Sequence, residues 1–76
     1  MSAQIQALGI IKSYIGGKNE IVIEAGNTIR ETMRVLNIPS DVVALVLVND
    51  APQSKDYRVQ DGDVIKLIAV VGGGNE

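Results

Sequence analysis

The residues of this chain best suited to chemistry stand together: Gly72, Gly73, Gly74, Asn75 and Glu76 follow directly on the apolar run 64–71. Glycine gains nothing by burial and loses more conformational freedom on ordering than any other residue. Three in succession therefore predict an arm that another protein grips. Such an arm can carry a backbone carboxylate into a narrow, water-excluded pocket whose walls would reject side chains. If Gly74 supplies that carboxylate, Asn75 and Glu76 cover it, and the Gly74–Asn75 bond is a processing site. Three readings are open: a peptidase removes Asn75 and Glu76, the two residues are incidental, or the glycines are the frayed end of a pure binding module.

Composition narrows the chemistry further. The chain has 76 residues with no Cys and no His, so thiolate nucleophiles, disulfides, thiolate metal sites and imidazole bases are all excluded. We expect no bound cofactor and no metal. Seven basic against nine acidic residues give a net charge of −2, and no Lys/Arg cluster or interleaved aromatics point to nucleic acid. The longest apolar stretch, 42–48, is too short to span a bilayer, and the Met1-Ser2-Ala3-Gln4 start lacks a signal peptide's features. The expected setting is the cytoplasm, with no membrane partner.

One domain over residues 1–71 must position the arm 72–76. Runs 4–12 and 19–24 read as the two strands of a hairpin turning through Gly16-Gly17. In the second, Ile21 and Ile23 alternate with Glu20, Val22 and Glu24, the pattern of an edge strand with one wet face. Thr28-x-x-Glu31 matches a capping box. Ile29, Thr32, Met33 and Leu36 then fall on one helical face, with Arg30, Glu31 and Arg34 outward, until Pro39 disfavours helical geometry at Ile38. The helical spacing accounts for Met33 as core.

Residues 42–48 are apolar throughout and read as a central strand. A turn at Asn49-Asp50-Ala51-Pro52, a polar crossing segment 53–60 and a turn at Asp61-Gly62-Asp63 lead to the last strand, 64–71. Gly16-Gly17 precedes a strand and not a helix, so it makes a turn and not a phosphate cradle. Asp61 and Asp63 alone are too few ligands for a metal loop.

The order strand, strand, helix, strand, crossing segment, strand gives an α+β layer pair. Its simplest closed core sets the first and last strands side by side, which is the β-grasp: a mixed sheet of four to five strands with one main helix packed on one face. With Lys66 outward, Ile65, Leu67 and Ala69 point inward. Val46, Val64, Lys66, Ile68 and Val70 then form a partner-binding surface on the open side, with Leu8 and Ile10 nearby.

Several segments carry a family resemblance. Leu8-Gly9-Ile10 with Tyr14-Ile15-Gly16-Gly17-Lys18 is similar to the first hairpin of the molybdopterin synthase small subunit. Val46-Leu47-Val48-Asn49, Asp61-Gly62-Asp63 and Val71-Gly72-Gly73-Gly74 resemble the third strand, last turn and tail of the small ubiquitin-like sulfur carriers, a group that includes the thiamine-pathway carrier. The resemblance implies a substrate protein, not an enzyme. An ATP-using activating enzyme would adenylate the terminal glycine, and a sulfur donor would convert it to a thiocarboxylate. A synthase would then accept the sulfur for molybdopterin, thiamine or another product. The chain departs from the family pattern in running past the glycines to Asn75 and Glu76. A ubiquitin-like modifier that forms isopeptide bonds and a non-reactive β-grasp interaction domain are the alternatives.

Overall fold

In the computed structural model, which describes residues 1–69, the capping box forms as its spacing predicts. Thr28 Oγ1 accepts the Glu31 N–H at 3.1 Å, and Glu31 Oε1 accepts the Thr28 N–H at 2.9 Å. Two of the donors that every helix N-terminus leaves unpaired are thereby satisfied. The helix, α1 (Ile29–Val35), buries Ile29, Thr32 and Met33. The Thr32 hydroxyl donates to the Thr28 carbonyl at 3.0 Å, so the buried polar group is paired. Asn37, at φ 60°, turns the chain out of the helix ahead of Pro39.

Five strands complete the sheet: β1 (Ser2–Ala7), β2 (Glu20–Glu24), β3 (Val43–Val48), β4 (Ala51–Gln53) and β5 (Val64–Ala69). They lie in the order β2-β1-β5-β3-β4, with β1 and β5 parallel and every other pair antiparallel. The architecture is the mixed-sheet β-grasp, with first and last strands adjacent. Ile5, Ile65 and Leu67 on the sheet meet Ile29 and Met33 on α1 in a core that water does not reach. Each such aliphatic side chain contributes roughly 1.5–3 kcal/mol by leaving water. Among the described residues no helix is long and apolar enough to cross a membrane.

Two local features differ from the sequence reading. Strand β1 ends at Ala7 rather than Lys12, and Gly9–Ile15 is a 3-10 helix. Gly9 takes φ 61°, which breaks the strand, and Ile11 and Ile15 then drop into the core. The connection from β1 to β2 is thus a packed 3-10 segment and not a tight hairpin turn. Asn49 and Asp50 also form a two-residue loop into the short strand β4, where the sequence showed only a turn and a polar crossing. Both take positive φ, 51° and 70°, as two-residue hairpin loops of the primed types require.

The remaining crossing segment supports α1. Tyr57 and Lys55 carbonyls accept the N–H groups of Ile29 and Arg30 at 3.0 and 2.9 Å, and Val59 is buried in the core. A further 3-10 turn, Ser40–Val42, leads into β3.

Candidate functional site

Strand β5 divides cleanly by face. Ile65 and Leu67 are fully buried, while Val64, Lys66 and Ile68 are partly exposed on the side away from α1. Registration places Val64 beside Gln4, Lys66 between Gln6 and Leu47, and Ile68 beside Leu45. The open face is therefore polar along β1 and apolar along β3. Ala7 pairs with Leu67 at the end of the parallel ladder, so Leu8 leaves β1 level with Ile68. Leu8, Ile10 and Leu45 are 53%, 58% and 41% exposed, an unusual state for three large aliphatic residues near one end of a sheet.

Val46 is not part of this face. It is only 2% exposed and pairs with the buried Leu67, so it belongs to the core. The reason is a register shift between Val43 and Leu45, where one extra residue on β3 reverses the alternation. Leu45 and Leu47 take the outward positions that the sequence reading gave to Val46. An unbroken apolar run carries no alternation to reveal a bulge, and only the pairing with β5 exposes it. Val70, Gly72, Gly73, Gly74 and Asn75 lie outside the described residues.

Lys66 crosses the face to Asp50, Nζ to Oδ1 3.2 Å, at the tip of the β3–β4 loop. Both side chains are well exposed, so the pair orients the lysine more than it stabilises the fold.

The start of β5 is held by a buried acid. Asp63 Oδ2 accepts the Tyr57 hydroxyl at 2.7 Å and the Gln60 N–H at 2.8 Å, while Oδ1 accepts the Asn49 side-chain amide at 2.9 Å. Burial alone would raise this carboxyl. The three donors outweigh it, and the group titrates below the ordinary carboxylate range. Next to it, Asp61 accepts the Ser2 N–H at 2.9 Å and Gly62 turns at φ 84°. These acids hold the turn in shape. Among the described residues no group of three or more acids, His or Cys gathers as a metal site would need.

The geometry of the described residues is that of a folded domain whose central strand has one buried face and one open face, apolar on its β3 side, while the glycines follow that strand in the sequence. The profile of the ThiS family matches residues 5–74, a span that includes all three glycines and stops before Asn75. The chain belongs to the ThiS family. It is a member of the ubiquitin-like sulfur carrier superfamily. Solved structures agree on the fold. SAMP1 from Haloferax volcanii superposes with a TM-score of 0.71 at 16% identity, covering 97% of this chain and 100% of that one. A putative molybdopterin converting factor subunit 1 from Pyrococcus furiosus gives 0.73 at 18% identity, covering 93% and 99%. The complex of subunits 1 and 2 of molybdopterin-converting factor from Helicobacter pylori gives 0.63 at 26% identity, covering 97% and 100%. No curated protein matches the chain significantly.

Proposed function

We propose that this ThiS-family protein carries sulfur on the carboxyl group of Gly74. Asn75 and Glu76 are first removed by a peptidase, which frees the carboxylate. A carboxylate oxygen then attacks the α-phosphorus of ATP in an activating enzyme, pyrophosphate leaves, and an acyl adenylate forms. Hydrosulfide delivered by a donor attacks the carbonyl carbon and displaces AMP with loss of a proton, leaving a thiocarboxylate. The chain is the substrate of these steps and catalyses none of them. ATP and the sulfur donor belong to the partner enzymes.

The observation that supports this reading most is the family match ending at Gly74. Gly72 and Gly73 keep the arm thin enough to thread an active site, and the domain's docking offsets the entropy lost on ordering it. The open face of Val64, Lys66, Ile68, Leu45 and Leu47 suits that docking, because exposed aliphatic side chains beside one lysine give both area and orientation. Since the Helicobacter pylori relative forms a complex with its second subunit, the sulfur-accepting partner proposed here is a second, synthase subunit.

The test compares the full-length chain with one ending at Gly74 in ATP–pyrophosphate exchange with an activating enzyme from the same organism. The shortened chain should support exchange and, with a sulfur donor, gain the mass expected for one oxygen replaced by sulfur. Exchange by neither form rejects the proposal. Attachment to lysines of other proteins, seen as species heavier by whole proteins, would make it a modifier instead.

A further inference from the structure

The two edges of the sheet are treated very differently. Strand β4 is three residues long and carries Pro52, so it offers little to a pairing strand. Strand β2 is five residues long, has neither Pro nor Gly, and stands at the opposite edge.

Its free backbone groups can be assigned. The Ala7 N–H donates to Asn19, and the Ala25 N–H donates to Met1. In an antiparallel ladder the inward-bonding residues alternate, so Ile21 and Ile23 pair with β1 while Glu20, Val22 and Glu24 aim their N–H and C=O groups outward. No described residue takes those groups. Beside them runs a groove between β2 and the end of α1, lined by Val22, Ile23 and Glu24 on one side and Val35 and Leu36 on the other. Val35, on the helix side of this groove, is 73% exposed, and Val22, whose side chain lies on the open-face side of β2, is 69% exposed, both far more than such side chains favour.

Charge decides between occupants. A second copy pairing antiparallel about Val22 would set Glu20 opposite the other copy's Glu24 twice, which like charges disfavour. A strand carrying bases at those two places would instead meet an acid at each. Glu24 has no side-chain partner among the described residues, and Glu20 accepts only the Gln4 amide, at 2.6 Å.

We propose that the β2 edge and its groove bind an extended segment of a partner protein, added antiparallel as a sixth strand, with the pattern basic, apolar, any, apolar, basic. The two apolar residues lie opposite Ile21 and Ile23, and their side chains enter the groove toward Val35 and Leu36. The two basic residues lie on the open-face side opposite Glu20 and Glu24. Main-chain bonds to Glu20, Val22 and Glu24 hold the segment, and the charges set its register. The proposal does not involve the glycine arm, so it stands or falls apart from sulfur transfer.

The experiment titrates isotopically labelled full-length chain with a capped Lys-Val-Thr-Val-Arg peptide, followed by amide chemical shifts and hydrogen exchange. Saturable binding should protect the amides of Glu20, Val22 and Glu24 and shift the Val35 and Leu36 methyls. Affinity should fall at least about tenfold for a Glu-Val-Thr-Val-Glu peptide, and fall with salt for the basic one. Glu20→Lys with Glu24→Lys should reverse the preference, and Val22→Pro, whose lost N–H points outward, should abolish binding while the remaining amide spectrum stays folded. Three results would overturn the proposal: no saturation at millimolar peptide, shifts confined to Leu45 and Ile68, or a concentration-dependent dimer of the free chain that protects the same three amides.

Discussion

Tyr57 donates a hydrogen bond from its hydroxyl to Asp63 at 2.7 Å and so ties the crossing segment to the turn that precedes β5. The same carboxylate holds the Gln60 backbone and the Asn49 side chain, so one buried charge fixes three segments around the central strand. Asp63→Ala strands these donors in a site that is only 6% exposed. A loss of about 2–4 kcal/mol is expected, since charged hydrogen bonds contribute most and unpaired buried donors cost more. Urea unfolding followed by circular dichroism measures it, and a change below about 0.5 kcal/mol would show the network to be idle.

The same pair sets a pH dependence. The Asp63 carboxyl lies below its ordinary range in the folded chain, because its donors outweigh burial. Its stabilisation is therefore complete above the unfolded carboxyl value of about 4 and is lost as pH falls through the folded value. Tyr57 is raised, first by its hydrogen bond to Asp63 and then by burial and the nearby negative charge. That contribution is complete below about pH 10 and disappears as pH rises through the folded value. Urea midpoints measured across pH should be flat near neutrality and decline at both ends. Tyr57→Phe should remove the alkaline share without steepening the acid side.

Val46 and Ile68 lie on opposite faces of the sheet, although both are apolar residues of adjacent strands. Val46→Asp puts a charge into the core and should cost more than about 4 kcal/mol, enough to unfold a small domain. Ile68→Asp, on the open face, should cost about 1 kcal/mol or less. It should weaken binding to the activating enzyme at least about tenfold, a change of about 1.4 kcal/mol. Thermal melts and titration calorimetry separate the two effects, and equal destabilisation by both would place Ile68 in the core.

Asp50 offers a stabilising substitution. At φ 70° it occupies a left-handed position that glycine adopts without cost. Asp50→Gly should gain about 0.5–1 kcal/mol from the loop, less at most a few tenths for the exposed pair with Lys66. A lower melting temperature would mean that the ion pair matters more than the backbone.

How legible these features were depends on whether their cause is local. The capping box could be read because Thr28 and Glu31 are three residues apart and their bonds are set by helix geometry alone. The faces of β5 followed from Lys66, a single charge that fixes the parity of its neighbours. The end of β1 could not be read, because Leu8, Ile10 and Ile11 suit a strand and only tertiary burial of Ile11 and Ile15 draws them into a 3-10 turn. Val46 was misplaced for a related reason: a bulge shifts pairing between strands, and an all-apolar sequence records no trace of it. The groove beside β2 needed the packed position of α1, which no spacing within either segment conveys. The glycine arm was conspicuous by composition.

The parallel pairing of β1 with β5 joins the first strand to the last among the described residues. During synthesis β1 and β2 emerge long before β5, and Ile5 has no Ile65 or Leu67 to pack against until β5 has left the ribosome. Long-range pairing of this kind makes folding of the sheet wait until β5 has been made. A prematurely terminated product would lack the centre of its sheet and be open to proteolysis. A check on synthesis is in this sense built into the topology, because a chain that has folded has been made at least as far as the strand that precedes its glycines.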